Sequence, residues 1–259
     1  MTRSSSRRGW KIVLGIIAAI LVLFFIAEMA VRGFTSHQIK SAIRDSAPET
    51  VAVQEDARVS FGPSPVIFGL LRQKLNHINI DVPSTLTPDR ETIVGTPAAN
   101  IDARGVVLDS EDPRADNVVL STDLPKQFVR DMLQSELDKA LTENNDGRFS
   151  EFDGILTVST VETNAMNGTF TITFSNGAFG VELRPDVDVD GQPSFSAVST
   201  QILGHNLPDV FSEAVTSALT SGINEGFVGP LRVREFTVID AGLHIVLEGE
   251  QVHLNDVSS

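Results

Sequence analysis

The chain is 259 residues long, contains no cysteine and no tyrosine, and carries a formal net charge of −14. Taking away the four cations at its N-terminus, Arg3, Arg7, Arg8 and Lys11, leaves −18 for residues 12–259, a charge that phosphate backbones and anionic bilayers repel, so nucleic acid is excluded as a partner. With no disulfide available, apolar burial alone has to hold the fold, and a domain of this length supplies enough of it.

Residues 1–11 hold those four cations and no acid, and residues 12–27 follow as an unbroken apolar run. A basic flank leading into an apolar run is an export signal, and the cations keep the N-terminus in the cytoplasm. The expected organisation is a basic tip and transmembrane or signal-anchor helix in residues 1–32, then one domain in residues 33–259 outside the cytoplasmic membrane, in a periplasm-like envelope space. Residues 10–31, from Trp10 at the inner interface, reach the ~20 needed for a single pass and place Glu28 near the outer interface. No small-x-small pair between Ile26 and Gly33 invites cleavage, so an uncleaved anchor is expected.

Beyond the anchor, Ile39, Ala42, Ile43 and Ala47 recur at helical spacing up to Pro48. Phe61-Gly-Pro-Ser-Pro65 leads into Val66, Ile67, Phe68, Leu70 and Leu71, with Arg72 and Lys74 directly behind. Such a segment dips into a headgroup region, lines a cavity entrance, or packs as ordinary core. Ile78, Ile80 and Val82, then residues 101–108, read as strands. Leu124-Pro125-x-x-Phe128 and Leu207-Pro208-x-x-Phe211 each read as the first turn of a helix, where proline loses no partner. Val129, Met132, Leu133, Leu137 and Leu141 form the apolar stripe of one helix, and Phe211, Ala214, Val215, Ala218 and Leu219 that of the other. The shared phrase suggests an internal duplication.

Between these helices, Phe170, Ile172 and Phe174 alternate with threonines up to Asn176-Gly177, the strongest short-range hairpin signal. In the returning strand Phe179, Val181, Leu183, Val187 and Val189 face one way, and Glu182, Arg184, Asp186, Asp188 and Asp190 the other, as an antiparallel sheet with one dry face requires. That strand spans roughly 40 Å at ~3.3 Å per residue, so the sheet has to curl. Leu243, Ile245 and Leu247 repeat the alternation near the C-terminus. The fold class is therefore α+β: a long curved antiparallel sheet wrapped on two amphipathic helices.

Sites of chemistry are harder to find. His37, His77, His205, His244 and His253 are scattered singly, and no nucleophile elbow, phosphate loop or paired-histidine zinc helix is present. Asp186, Asp188, Asp190 and Gly191 copy the opening of a calcium loop, but the bidentate position falls on Ala197 and Pro193 interrupts it, so a solvated strand face ending in an Asp-Gly turn is expected. No catalytic residue, metal or cofactor is assigned.

Val59-Ser-Phe61-Gly-Pro-Ser-Pro65 to Leu71, the strand from His77 to Val82, and the closing phrase Gly229-Pro-Leu-Arg-Val233, Val238-x-x-Ala241-Gly242-Leu243 and Leu247-x-Gly249-x-x-Val252 resemble the LmeA-type phospholipid-binding proteins of actinobacterial envelopes, over most of residues 33–254. The resemblance implies a tubular lipid-binding-like fold and a role in envelope lipid or lipoglycan maintenance. The expected function is noncatalytic binding, with transfer as an extension, of a phospholipid or other acyl lipid. Its apolar lining is assigned to Phe170, Ile172, Phe174, Phe179, Val181 and Leu183 of the hairpin with Met132, Phe211, Val215 and Leu219 of the helices. Phe61, Val66, Ile67, Phe68, Leu71, Arg72 and Lys74 are the membrane-proximal candidates. An envelope scaffold binding protein partners through a sheet edge or the acidic face, and a hydrolase with an unrecognised carboxylate pair, are the alternatives.

Overall fold

The computed structural model describes residues 28–31, 33, 57–89, 92–109, 112–143, 157–202, 209–224 and 231–253. In chain order the elements are β1 (Arg58–Phe61), α1 (Val66–Leu71), β2 (Lys74–Val82), β3 (Thr87–Asp89), β4 (Thr92–Val94), β5 (Ala99–Val107), β6 (Arg114–Pro125), α2 (Lys126–Glu143), β7 (Val158–Asn164), β8 (Thr169–Phe174), β9 (Phe179–Val187), β10 (Pro193–Ile202), α3 (Asp209–Ile223), β11 (Arg232–Ile239) and β12 (Gly242–His253). Each described strand pair is antiparallel, which makes the fold α+β. The strands are divided rather than joined in one sheet: six in the order β1-β2-β5-β6-β12-β11, four in the order β10-β9-β8-β7, and the β3-β4 ribbon.

The longest strands are β6 and β12, twelve residues each, paired from Gly242 opposite Pro125 to His253 opposite Arg114. This corrects the reading of Leu124-Pro125 as a helix start. Leu124 is 1% exposed and sits opposite Leu243, so ladder pairing and burial claim the dipeptide. Proline's fixed φ suits the end of a strand as well as a first helical turn. The helix α2 begins one residue later, with the Lys126 N–H donating to the Ala241 carbonyl at 3.2 Å. Any side chain on Gly242 would collide with the Leu124 carbonyl oxygen, so this approach of the two strands needs glycine. Leu207 and Pro208 lie outside the described residues.

Val129, Leu133 and Leu137 of α2 and Val215, Ala218, Leu219 and Ile223 of α3 are buried at the spacing of one helical face. The two helices meet at Gly222, where an added Cβ would stand 3.1 Å from both Met132 Cγ and Glu136 Cγ. Helix α2 also touches β7, β6 and β12, and α3 touches β10. The two larger sheets are joined through aromatic rings, Phe170 of β8 to Phe195 of β10 at 6.0 Å and Phe195 to Phe236 of β11 at 5.5 Å, both edge-on. One buried cluster runs without a break from Val66 beside α1 to Ile223 of α3.

The β8–β9 hairpin stands where the alternation puts it, closed by the stacked pair Phe174 and Phe179 at 5.1 Å. Its loop occupies residues 175–178, with Asn176 in the left-handed region at φ 53°, a conformation asparagine tolerates better than most residues. The returning strand is shorter than expected. It stops at Val187, and Val189 is fully solvent-exposed in the following turn. Asp188 is the cause: its Oδ1 accepts the N–H groups of Asp190 at 2.9 Å and Gln192 at 2.8 Å, while Gly191 turns at φ +76°. An aspartate that captures amides two and four residues ahead offers the backbone an alternative to the ladder.

With two backbone amides satisfied by one carboxylate, replacing Asp188 by alanine is expected to cost about 1–2 kcal/mol. Asp188→Asn keeps the accepting oxygen and retains most of that stability. Urea unfolding of the three proteins, repeated with and without calcium, measures both points; no calcium-dependent shift is expected for any of them.

Candidate functional site

The six-stranded sheet has one polar face, built of cross-strand pairs. His77 Nε2 contacts Asp102 Oδ2 at 2.5 Å, Asn100 joins Asn79 and Asp81, and His244 Nδ1 meets Asp123 Oδ1 at 2.6 Å. Arg104 adds a second partner to Asp102 at 3.1 Å. Partial burial raises the Asp102 pKa, but the hydrogen bond and charge of His77, then those of Arg104, more than offset it and hold the carboxyl below the ordinary 3.8. These contacts tie β2 to β5 and β6 to β12 through their polar side chains, while Arg104 engages Asp102 along its own strand. Among the described residues no group of three or more His, Cys, Asp or Glu is placed to hold a metal.

The opposite face is apolar. Directly opposed residues share a face, so the register places Val59, Ile80, Ile101, Leu120, Leu247 and Val233 in one row across all six strands. Leu247 and Val233 are buried at 0% and 3%, under the part of the face that α2 and the four-stranded sheet cover. Val59, Ile80, Ile101 and Leu120 pack against the core yet remain partly exposed, and Val82 and Ala99 in the row beside them are partly exposed too. The dry face is thus closed at the β12–β11 end, and at the β1–β6 end this row stays half open beside the buried Ile78 and Val118 of the next row.

The residues assigned to the lining from sequence are brought together, at the closed end. Phe170, Ile172, Phe174, Val181, Leu183, Val215 and Leu219 are 0% exposed, Phe179 is 6%, and Met132 packs partly buried against them. Phe211 lies in α3, its side chain outside the description. At such depth a side chain touches a ligand only if its neighbours move. The half-open row is what the sequence reading passed over, although Ile78, Ile80 and Val82 and the run at 101–108 were legible as strands. The missing information was pairing: cross-strand register, not alternation within a strand, lines up Val59, Ile80, Ile101 and Leu120.

The segment from Phe61 to Lys74 divides between its expected roles. Val66 is buried at 2% and Phe61 packs partly buried on the core, whereas Phe68, Leu70 and Leu71 of α1 are 50%, 38% and 78% exposed. Ile67 is intermediate, Arg72 is exposed, and the Lys74 ammonium is 2.7 Å from Asp116. That hydrogen bond to Lys74 is the main reason the Asp116 carboxyl lies below its ordinary range. The cleft beneath this segment, lined by Phe61, Gly62, Pro65, Val66 and His77 among others, has a volume of about 20 Å³, room for one water molecule and no more. Here α1 presents a surface, not a pocket. No helix among the described residues is long and apolar enough to cross a membrane; the expected span falls almost entirely on residues 10–27, outside them. Packing on the domain starts before the expected boundary at residue 33, since Val31 touches the core.

A family model described as LmeA-like phospholipid-binding matches residues 26–248. No curated protein and no solved structure matches the chain.

Two measurements follow from this geometry. Val181→Trp or Leu183→Trp inserts bulk at a fully buried position, so each is expected to destabilise the domain by about 1–3 kcal/mol in chemical unfolding. For Asp102 the folded pKa is depressed, so its contribution is fully present above the unfolded value near 3.9 and is lost as pH falls through the folded one. Asp102→Asn should therefore be less stable than the parent at pH 5–6, with the gap closing as pH drops below about 4.

Proposed function

We propose that this chain, which belongs to the LmeA-like phospholipid-binding family, holds a phospholipid or another acyl lipid without acting on it chemically, outside the cytoplasmic membrane to which residues 10–31 anchor it. The row Val59, Ile80, Ile101 and Leu120 carries this reading: four aliphatic side chains abreast on four strands, each partly exposed, ending against a fully buried wall at Leu247. An acyl chain laid on such a strip removes both its own surface and the strip's from water. At about 0.8 kcal/mol per buried methylene, about ten methylenes return roughly 8 kcal/mol, comparable with the cost of association. A net charge of −14 places the affinity in the acyl chain rather than in a polybasic headgroup dock.

In this reading the six-stranded sheet is the curved wall of a tubular lipid-binding-like domain, and α2, α3 and the β8–β9 hairpin close one end of it. The hairpin residues Phe170, Ile172, Phe174, Phe179, Val181 and Leu183, with Met132, Phe211, Val215 and Leu219, back the lipid there, and a long chain reaches them by parting packed side chains. Holding the lipid is the primary act. Transfer within the envelope, in support of lipid or lipoglycan maintenance, follows from releasing it.

The test is lipid extraction and mass spectrometry of the purified full chain, with uptake of labelled phospholipid by delipidated protein. Ile101→Trp combined with Leu120→Trp fills the half-open row and is expected to lower occupancy several-fold with little loss of stability. Glu250→Trp, exposed and on the polar face, should leave occupancy unchanged. If all three proteins take up the same amount, or none takes up any, the lipid-holding reading fails and the scaffold alternative replaces it.

A further inference from the structure

Glu28 is held by the domain. Glu28, the first residue after the apolar run of residues 12–27, is 8% exposed, and its carboxylate spans the start of α1. The Val66 N–H donates to Oε1 at 2.6 Å and the Ile67 N–H to Oε2 at 3.1 Å, across 38 and 39 residues of chain. Each side of this contact needs the other. The first turn of α1 follows Pro65, which provides no side-chain cap, and its amide groups have no partner within the helix. A carboxylate taken out of water is costly unless such donors meet it, and charge-assisted bonds of this length are among the stronger ones.

The side chains around this contact are apolar and face outward. Leu71 is 78% exposed, Met29 57%, Phe68 50% and Leu70 38%, with exposed Arg72 immediately behind them. Four large apolar side chains gathered on one short helix and the residue next to Glu28 form a patch of the kind that meets another apolar phase. The sequence says which phase: the residue that binds α1 is also the one that ends a sixteen-residue run without a charge, whose favourable surroundings are hydrocarbon.

We propose that Glu28 fastens the outer end of the membrane-crossing segment to α1 and so holds the exposed apolar face of α1 on the outer leaflet of the bilayer. The anchor is then a rigid mount instead of a tether, and the β1 side of the six-stranded sheet, where the apolar row is half open, is the side nearest the membrane. This rests on the proposed anchoring and gives the proposed lipid site its direction of entry.

The chain has no cysteine, so a single introduced thiol carries a fluorophore without ambiguity. In the full chain reconstituted into vesicles of phosphatidylcholine and phosphatidylglycerol doped with headgroup-proximal nitroxide lipid, a probe at Leu71→Cys is compared with one at Val189→Cys. The latter is in the β9–β10 turn, which contacts Arg232 at the start of β11, the sheet edge opposite β1. Quenching at Leu71 is expected to be several-fold stronger than at Val189, and adding Glu28→Ala should bring Leu71 down to the Val189 level while circular dichroism stays unchanged. If Glu28→Ala does not fold, Glu28→Gln replaces it and should lower the quenching, because its amide nitrogen cannot accept the second N–H and its oxygen accepts the first without a charge. Equal quenching at the two sites, or quenching at Leu71 that ignores substitution of Glu28, overturns the proposal. Absence of copurified lipid with the Leu71 quenching intact counts against the lipid-holding function alone and leaves the docking in place.

Discussion

The pairing of β6 with β12 is the constraint on which the other parts of the molecule depend. It joins residues 114–125 to residues 242–253 over their full lengths and places both strands at the interior of the six-stranded sheet. At one end it delivers the chain directly into α2, because Pro125 closes the ladder against Gly242 and Lys126 takes the Ala241 carbonyl as its first partner. Since the two strands come from distant parts of the sequence, nothing in the sheet is complete until the C-terminal hairpin is in place. Loop closure over such a separation is slow to form and costs entropy before any contact repays it. The repayment is the buried series Leu124, Leu243, Ile245 and Leu247, all at 0–1% exposure.

That arrangement explains why the dry face is asymmetric. Helices α2 and α3 and the four-stranded sheet gather on the side of β12 and β11, where the Phe170–Phe195–Phe236 contacts lock the two sheets together. On the other side Leu75 and Ile78 of β2 and Val106 of β5 belong to the buried cluster, but Val59, Ile80 and Ile101 pack against it without being sealed by it. A sheet that buries most of one face and leaves one row partly wet has apolar surface to spare, and the lipid site proposed for this member of a phospholipid-binding family is built on that row.

How much of this could be read from sequence follows from which forces are local. The β8–β9 hairpin was legible because strict alternation and Asn176-Gly177 are both short-range features. The helical stripes at Val129, Leu133 and Leu137 and at Val215 and Leu219 were legible for the same reason. The strand β6 was not: Asp116, Val119 and Thr122 break its alternation, and its place is fixed by a partner more than a hundred residues away. Val189 was misplaced because the pattern of alternation continues past Val187, while the side chain of Asp188 takes over the local hydrogen bonding. The family resemblance was visible in the glycine and proline phrases near both ends, and the matching residues 26–248 cover all of them except Gly249 and Val252. The site itself was least legible, since it is a row across strands.

The row also has a length. Neighbouring strands lie ~4.8 Å apart, so the three intervals from β1 to β6 amount to about 14 Å before Leu247 on β12 blocks the way. The hydrocarbon of a single leaflet is about half of a ~30 Å bilayer core, which is nearly the same distance. Under the proposed function, one extended acyl tail laid across the strands from the β1 edge would just fill the open portion and meet a stop. The sheet would then work as a ruler, on which tail length rather than headgroup charge sets the fit, and changing the residue at Leu247 would move the end mark.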